Sequence, residues 1–247
     1  MIICHCKKFI FLHGRKTAGS SIGISLSRHL ASGDIARGYT GGIEVGVYPP
    51  DWQKSLFWLR PRDFFSVIPR VIAHRRFTKS RYGISSTHMT ANQIKEYVGD
   101  AVWSAYFKFT FERNPFDRMV SFYFWRIKDL QEKPSFMQFV DAIYSGDHLV
   151  LSKYNLTGYS NLLFYLIDNT VAVDFVGQYD HLYHDLEYVY KKIGIPFDGW
   201  LPKDKSGIRP KSISYADLAD EEITDKLKSI FSKEITLFGY EVPKFCK

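Results

Sequence analysis

The sequence predicts an α/β fold: an open, mostly parallel sheet flanked by helices on both faces, in a single domain spanning residues 1–247. Three observations carry this. An apolar run, Phe9 to Leu12, passes through a glycine-flanked turn into a helix-spaced run of Ile22, Leu26 and Leu30. A second run, Ala105 to Phe111, alternates with period two and stops at Arg113-Asn114-Pro115, where a new helical pattern starts. The same succession recurs from Val171 onward. Strands that each feed a helix pair side by side in parallel, and ligands of such sheets bind beyond the strands' C-terminal ends.

Taken in order, Lys7–His13 reads as a buried strand and Ser20–Ala31 as a helix closed by Gly33. Gly38, Gly41, Gly42, Gly46, Pro49 and Pro50 then mark a long surface excursion. Thr90-Ala91-Asn92-Gln93 is a capping-box pattern that opens a short helix ending at Gly99, with His88 just before the cap. In the next strand Ala105, Phe107, Phe109 and Phe111 share one face, and Tyr106, Lys108 and Thr110 the other. Asn114 caps, and Pro115 begins, a helix whose buried stripe is Phe116, Met119, Val120, Tyr123 and Ile127. Pro134–Ser145 predicts a further helix, Val171–Gly177 a third strand, and Leu182, Leu186, Val189 and Ile193 a helix ending at Gly194. Pro196–Ser214 is a loop rich in Lys, Arg, Pro and Gly. The last helix is Glu221–Leu237, striped by Ile223, Leu227, Ile230 and Phe231 and stopped at Gly239. There is no internal repeat.

At 247 residues and 45% hydrophobic, the chain can bury roughly 70–75% of its unfolded surface and needs neither disulfide nor metal to fold. Three cysteines, Cys4, Cys6 and Cys246, are too few and too odd in number for a secreted disulfide framework. Cys4-His5-Cys6 has no second Cys/His pair at zinc-like spacing, so the sequence reading assigns no metal site. The charge of +7 attracts anions without choosing among nucleotides, acidic polymers, nucleic acid and membrane. No apolar run is long enough to span a bilayer, because Leu56–Ala73 is broken by Arg60, Arg62, Asp63 and Arg70. Lys7-Lys8 and the four apolar residues after it lack the order of a signal peptide, so the expected address is cytoplasmic.

The chemistry is concentrated at strand exits. Gly14-Arg15-Lys16-Thr17-Ala18-Gly19-Ser20-Ser21 leads from the first strand into the first helix. Glycines let backbone approach an anion, the first helical amides point at it, and Lys16 adds a mobile full charge. The loop is P-loop-like, but the nucleotide-binding pattern G-x-x-x-x-G-K-[ST] places lysine after the second glycine, where this chain has Ser20-Ser21. Arg113, at the end of the alternating strand, and Ser121, eight residues on, form a second anion pocket. Two phosphate-sized pockets suggest a nucleotide phosphorylated in two places.

These residues resemble a known family. Lys16-Thr17-Ala18-Gly19-Ser20-Ser21-Ile22 is similar to the 5′-phosphosulfate loop of sulfotransferases that use 3′-phosphoadenosine 5′-phosphosulfate (PAPS), and Phe109 through Tyr123 is similar to their 3′-phosphate motif. The match is to the carbohydrate branch, which includes the chondroitin and heparan 2-O-sulfotransferases. Thr87-His88-Met89-Thr90-Ala91, Phe175 through Leu182 and Phe238-Gly239-Tyr240 agree in order and spacing. The chain departs from the family's usual pattern at Gly14-Arg15, at Gln178 and Asp180, and at Ser212-Ile213.

The resemblance implies transfer of a sulfuryl group from PAPS to a hydroxyl, leaving adenosine 3′,5′-bisphosphate. It assigns Arg15, Lys16, Thr17, Ala18, Gly19, Ser20, Ser21, Arg113, Ser121, Arg209 and Lys211 to the cofactor, Lys16 also to catalysis, and His88 to the general base. It requires no metal. The acceptor is a carbohydrate or a small-molecule alcohol or amine, with no nucleic-acid partner and no membrane span. The basic cluster His74-Arg75-Arg76-Lys79-Arg81 is a solvated face or a guide for an acidic polysaccharide, and Asn155-Leu156-Thr157 is a glycosylation sequon by pattern alone. Two rivals remain at this point: a kinase using the same cradle with ATP and magnesium, and a non-catalytic binder of acidic polymer or nucleic acid.

Overall fold

The computed structural model describes residues 1–36, 88–154, 156, 158–203 and 207–244. The turn-rich excursion, the basic cluster His74-Arg75-Arg76-Lys79-Arg81, Thr87, the sequon positions Asn155 and Thr157, and Cys246 lie outside the described residues. In chain order the elements are β1 (Ile2–Cys4), β2 (Phe9–Phe11), α1 (Gly19–Ser27), β3 (Ile35–Ala36), α2 (Ala91–Val98), α3 (Asp100–Ala105), β4 (Phe107–Glu112), α4 (Pro115–Ile127), α5 (Phe136–Ser145), α6 (His148–Lys153), β5 (Leu166–Ile167), β6 (Thr170–Val171), β7 (Phe175–Gln178), α7 (Leu182–Lys192), α8 (Glu221–Ile230) and α9 (Ser232–Phe238). The fold is mixed α/β and divides into two compact units. One comprises Met1–Gly14, Ala18–Phe111 and Leu163–Asp204, the other Arg15–Thr17, Glu112–Leu162 and Lys205–Lys247.

The first unit holds a five-stranded sheet ordered β3-β1-β2-β4-β7. The two strands that the sequence marks most clearly, β2 and β4, pair in parallel, Phe9 beside Phe107 and Phe11 beside Phe109. β1 pairs antiparallel with β2 and with β3. For the first pair the reason is connection length: β1 and β2 are joined by a tight turn, closed by Lys8 at φ 53°, which permits only antiparallel pairing. Phe9, Phe11, Phe109 and Phe111 face Ile22 and Leu26 of α1 and Leu186, Val189 and Tyr190 of α7. Burying each such side chain contributes about 1.5–3 kcal/mol. On the opposite face Lys108 is buried, its Nζ 2.7 Å from Asp174 and 5.6 Å from the ring of Trp103 on α3.

Several expected boundaries move. The first strand contracts to Phe9–Phe11, and Ala105 closes α3 instead of opening β4. The first helix ends early, because Arg28 and His29 donate to carbonyls three residues back and tighten the last turn. The expected strand Val171–Gly177 divides: Val171 belongs to the small β5–β6 sheet, and the main sheet is entered only at Asp174, whose N–H donates to Lys108 O.

The second unit is helical. Phe116, Met119, Val120, Tyr123 and Ile127 of α4 are buried as expected, against Phe136, Phe139 and Val140 of α5 and Ile223 and Leu227 of α8. Ser135 caps α5 in a capping box with Gln138, so the helix starts at Phe136 and not at Pro134. The expected helix Glu221–Leu237 breaks at Phe231, which leaves helical backbone at φ −106° to bury its ring completely. Among the described residues no helix is long and apolar enough to cross a membrane.

Candidate functional site

In the helical unit, the short segment Arg15–Thr17 is held by side chains remote in sequence. The Asn161 carboxamide accepts from Arg15 N–H at 2.9 Å and donates to Arg15 O at 3.0 Å, replacing a missing strand partner. Its Nδ2 also lies 3.2 Å from Glu112 Oε1, at the end of β4. Arg15 Nη1 donates to Gly158 O at 3.2 Å; a Cβ at Gly158 would displace that guanidinium, and φ 82° there favours glycine. Asn161 and Glu112 are both fully buried. A buried polar group keeps its place only when such bonds are made.

Lys16 and Arg113 meet in this unit. Arg113 Nη1 donates to Lys16 O at 3.3 Å, while its Nε donates to Asp117 Oδ2 at 2.6 Å. Lys16 has φ 62°, in the left-handed region, which costs a residue with a Cβ about 1–2 kcal/mol. Strain of this kind collects in loops shaped for a ligand. Lys16 Nζ stands 5.8 Å from the Trp125 ring centroid. Trp125 also carries Arg126, whose Cζ is 4.5 Å from the ring; burial first, and then Arg15, lower the Arg126 pKa to about 10.

The start of α4 gathers a cap, a proline and an ion-pair network. Asn114 Oδ1 accepts from Phe116 N–H at 3.0 Å, and Pro115 occupies the first helical position. Asp117, one turn in, bridges two arginines: Arg113, and Arg209 of the basic loop, whose Nη1 lies 2.5 Å from Oδ1. Burial alone would raise the Asp117 carboxyl, but the two arginines more than offset it and hold it below its ordinary value. Arg209 also donates from Nε to Ile213 O at 2.8 Å. Ser121 is half-buried on α4, and Lys211 is exposed. Beneath them Arg118 lies between two buried carboxylates, 3.3 Å from Glu112 and 3.6 Å from Glu234.

The remaining site residues belong to the sheet unit. Ala18, at φ 60°, starts α1 without a side-chain cap, and Gly19, Ser20 and Ser21 form its first turn. Gly19 lets the His13 ring lie against that turn, since a Cβ there would be 2.1 Å from His13 Cδ2. His88 precedes the Thr90 capping box of α2, which has both reciprocal bonds. Its Nδ1 is 3.0 Å from His13 O. A carbonyl only accepts, so Nδ1 is the donor, and in the neutral ring the lone pair belongs to Nε2.

The structure thus places Arg15, Lys16, Thr17, Arg113, Ser121, Arg209 and Lys211 in one unit, and Ala18 to Ser21 with His88 in the other. The sequence reading missed Asn161 and Arg126. Arg126 follows Trp125 on a recognised helix, a signal of cation and aromatic together; Asn161 has no local signal at all.

Residues 1–241 match the family model described as Sulfotransferase family. A protein of Archaeoglobus fulgidus, described as an uncharacterized protein, is 35% identical over 111 residues, 44% of this chain and 84% of that one. No solved structure matches the chain.

Proposed function

Since the chain belongs to the sulfotransferase family, we propose that it moves the sulfuryl group of PAPS to a hydroxyl acceptor, a carbohydrate by the resemblance of its motifs, and that residues 1–247 act as one catalytic domain. The observation that carries this reading is the contact of Arg113 with the backbone of Lys16. It supports a shared role for the two sequence segments that the resemblance assigns to opposite ends of one nucleotide.

The donor set suits a ligand with anionic groups at two ends. Arg15, Lys16 and the first amides of α1 would hold the 5′ end in a P-loop-like cradle, and Arg113, Ser121 and the Arg209 loop, with Lys211, the 3′-phosphate. When bound, PAPS supplies an electrophilic sulfuryl group on a phosphate leaving group. Lys16 neutralises negative charge at the loop, a preorganised contribution that grows as water is excluded. Asp117 fixes the orientation of the Arg113 fork. His88, with Nδ1 tied to His13 O, takes the acceptor hydroxyl proton on Nε2.

Thermal shift tests the reading against a kinase. Adenosine 3′,5′-bisphosphate at a hundred times its dissociation constant adds about 2.7 kcal/mol, a rise of about 5–10 °C for a chain of this length. Stabilisation by ATP with magnesium and none by the bisphosphate would reject it.

A further inference from the structure

Where β1 ends and β2 begins, Cys4, Cys6 and Asp34 come together. Cys4 ends β1, and antiparallel pairing sets it beside Phe9 at the start of β2, whereas the cradle follows the end of β2. Asp34 reaches the same point from the loop between α1 and β3. The two sulfurs are 3.3 Å apart, and each is 3.2 Å from Asp34 Oδ2. Asp34 is 2% exposed, and three backbone amides fix its carboxylate: His5 at 2.6 Å and Cys6 at 3.3 Å on Oδ1, and Ala31 at 2.8 Å on Oδ2. One oxygen is therefore held immobile and aimed at both thiols. The sequence shows a lone Cys-His-Cys; the fold supplies the third donor from residue 34.

We propose that Cys4, Cys6 and Asp34 bind a zinc ion that staples the β1–β2 turn to the α1–β3 loop. Three donors at these separations form a nearly equilateral triangle. An ion about 2.3 Å from each sulfur and about 2.1 Å from the oxygen would sit about 1 Å above its plane. Opening the S···S edge to about 3.8 Å and each S···O edge to about 3.6 Å gives the tetrahedral angle, an outward shift of roughly 0.3 Å per donor. Two thiolates select a borderline-soft ion over magnesium or calcium. Binding displaces one proton from each thiol to solvent, and the two S–H to carboxylate bonds become Zn–S bonds. Cys6 is exposed, which leaves the fourth position to water and gives the ion its way in. His5 is engaged elsewhere, with Nδ1 2.8 Å from the Tyr106 hydroxyl. The role is structural, because the staple joins elements of the sheet unit where β2 begins.

Cobalt titration of the full chain, stripped with chelator under reducing conditions, tests this. The expected result is one cobalt ion per chain, with thiolate-to-metal charge-transfer bands and the intense visible bands of a tetrahedral site, displaced by one equivalent of zinc. Zinc should raise the melting temperature of the stripped protein by several degrees. Cys6→Ser changes an exposed residue and should fold; it should weaken zinc by more than the roughly 10–100-fold that losing an outer partner costs. Asp34→Asn should do the same if the variant folds. The proposal fails if cobalt gives no charge-transfer band, or if Cys6→Ser binds zinc as tightly as the wild type. It also fails if only the removal of Cys246 abolishes binding.

Discussion

Arg113 donates from Nη1 to the carbonyl oxygen of Lys16 across 3.3 Å, joining two residues 97 apart in sequence. The contact fixes the backbone of Lys16 and not its ammonium, so the Lys16 side chain can be changed without cutting the link. Lys16 holds φ 62°. Lys16→Gly should relieve that conformation and leave stability unchanged or higher by about 1 kcal/mol, while turnover collapses. Chemical denaturation beside a transfer assay checks both; a variant less stable than the wild type would show that the lysine serves the fold.

Asp117 links Arg113 with Arg209, 92 residues on. Its carboxyl is held below its ordinary value by the two arginines, which outweigh burial. The unfolded chain therefore takes up this proton first as pH falls. The stability that Asp117 adds is complete above about pH 4 and is lost below it. Asp117→Asn should be less stable than the wild type at neutral pH, with the gap narrowing in denaturant titrations carried below about pH 4, and should bind adenosine 3′,5′-bisphosphate more weakly.

Arg118 neutralises two buried carboxylates, Glu112 and Glu234. Arg118→Met should cost about 3–5 kcal/mol, because it leaves buried charge uncompensated. Glu234 behaves differently, since burial raises its pKa more than Arg118 and Ser160 lower it. A raised carboxyl makes the folded state bind the extra proton, so stability falls as pH rises through the window above the ordinary glutamate value. Glu234→Gln should flatten that part of the profile, which urea midpoints measured against pH will show.

His88 presents Nε2 because its other nitrogen donates to His13 O. His88→Asn keeps a donor for that carbonyl and removes the base. Turnover should fall at least roughly a hundredfold with bisphosphate affinity unchanged. Steady-state kinetics and calorimetry together separate this from misfolding, and near-normal turnover would remove His88 from the mechanism.

The parts of the fold legible in the sequence were those written in local patterns. The alternation through Phe107, Phe109 and Phe111, the Asn114-Pro115 helix start and the Thr90 capping box all lie within a few residues of what they determine. β1 escaped because Ile2-Ile3-Cys4, running straight into a His-Cys-Lys-Lys turn, is too short a run to read as a strand, although the sheet buries all three completely. The candidate site divides in the same way. Lys16 and Arg113 stand at strand exits, which periodicity locates. Asn161 reaches Arg15 across 146 residues, and Arg209 reaches Asp117 across 92, and such pairings leave no local trace. Asp117 pairs with one arginine four residues before it, within reach of a local pattern, and with one far away.

The most direct test of the central claim, that the Lys16 loop and the Arg113 corner together bind a doubly phosphorylated adenosine, is calorimetric titration of adenosine 3′,5′-bisphosphate into the wild type and Arg113→Met. One site per chain is expected in the wild type and a loss of about 1.5–3 kcal/mol in the variant, roughly 10–150-fold in affinity. Equal affinity in the two proteins, or no binding to the wild type, would contradict it.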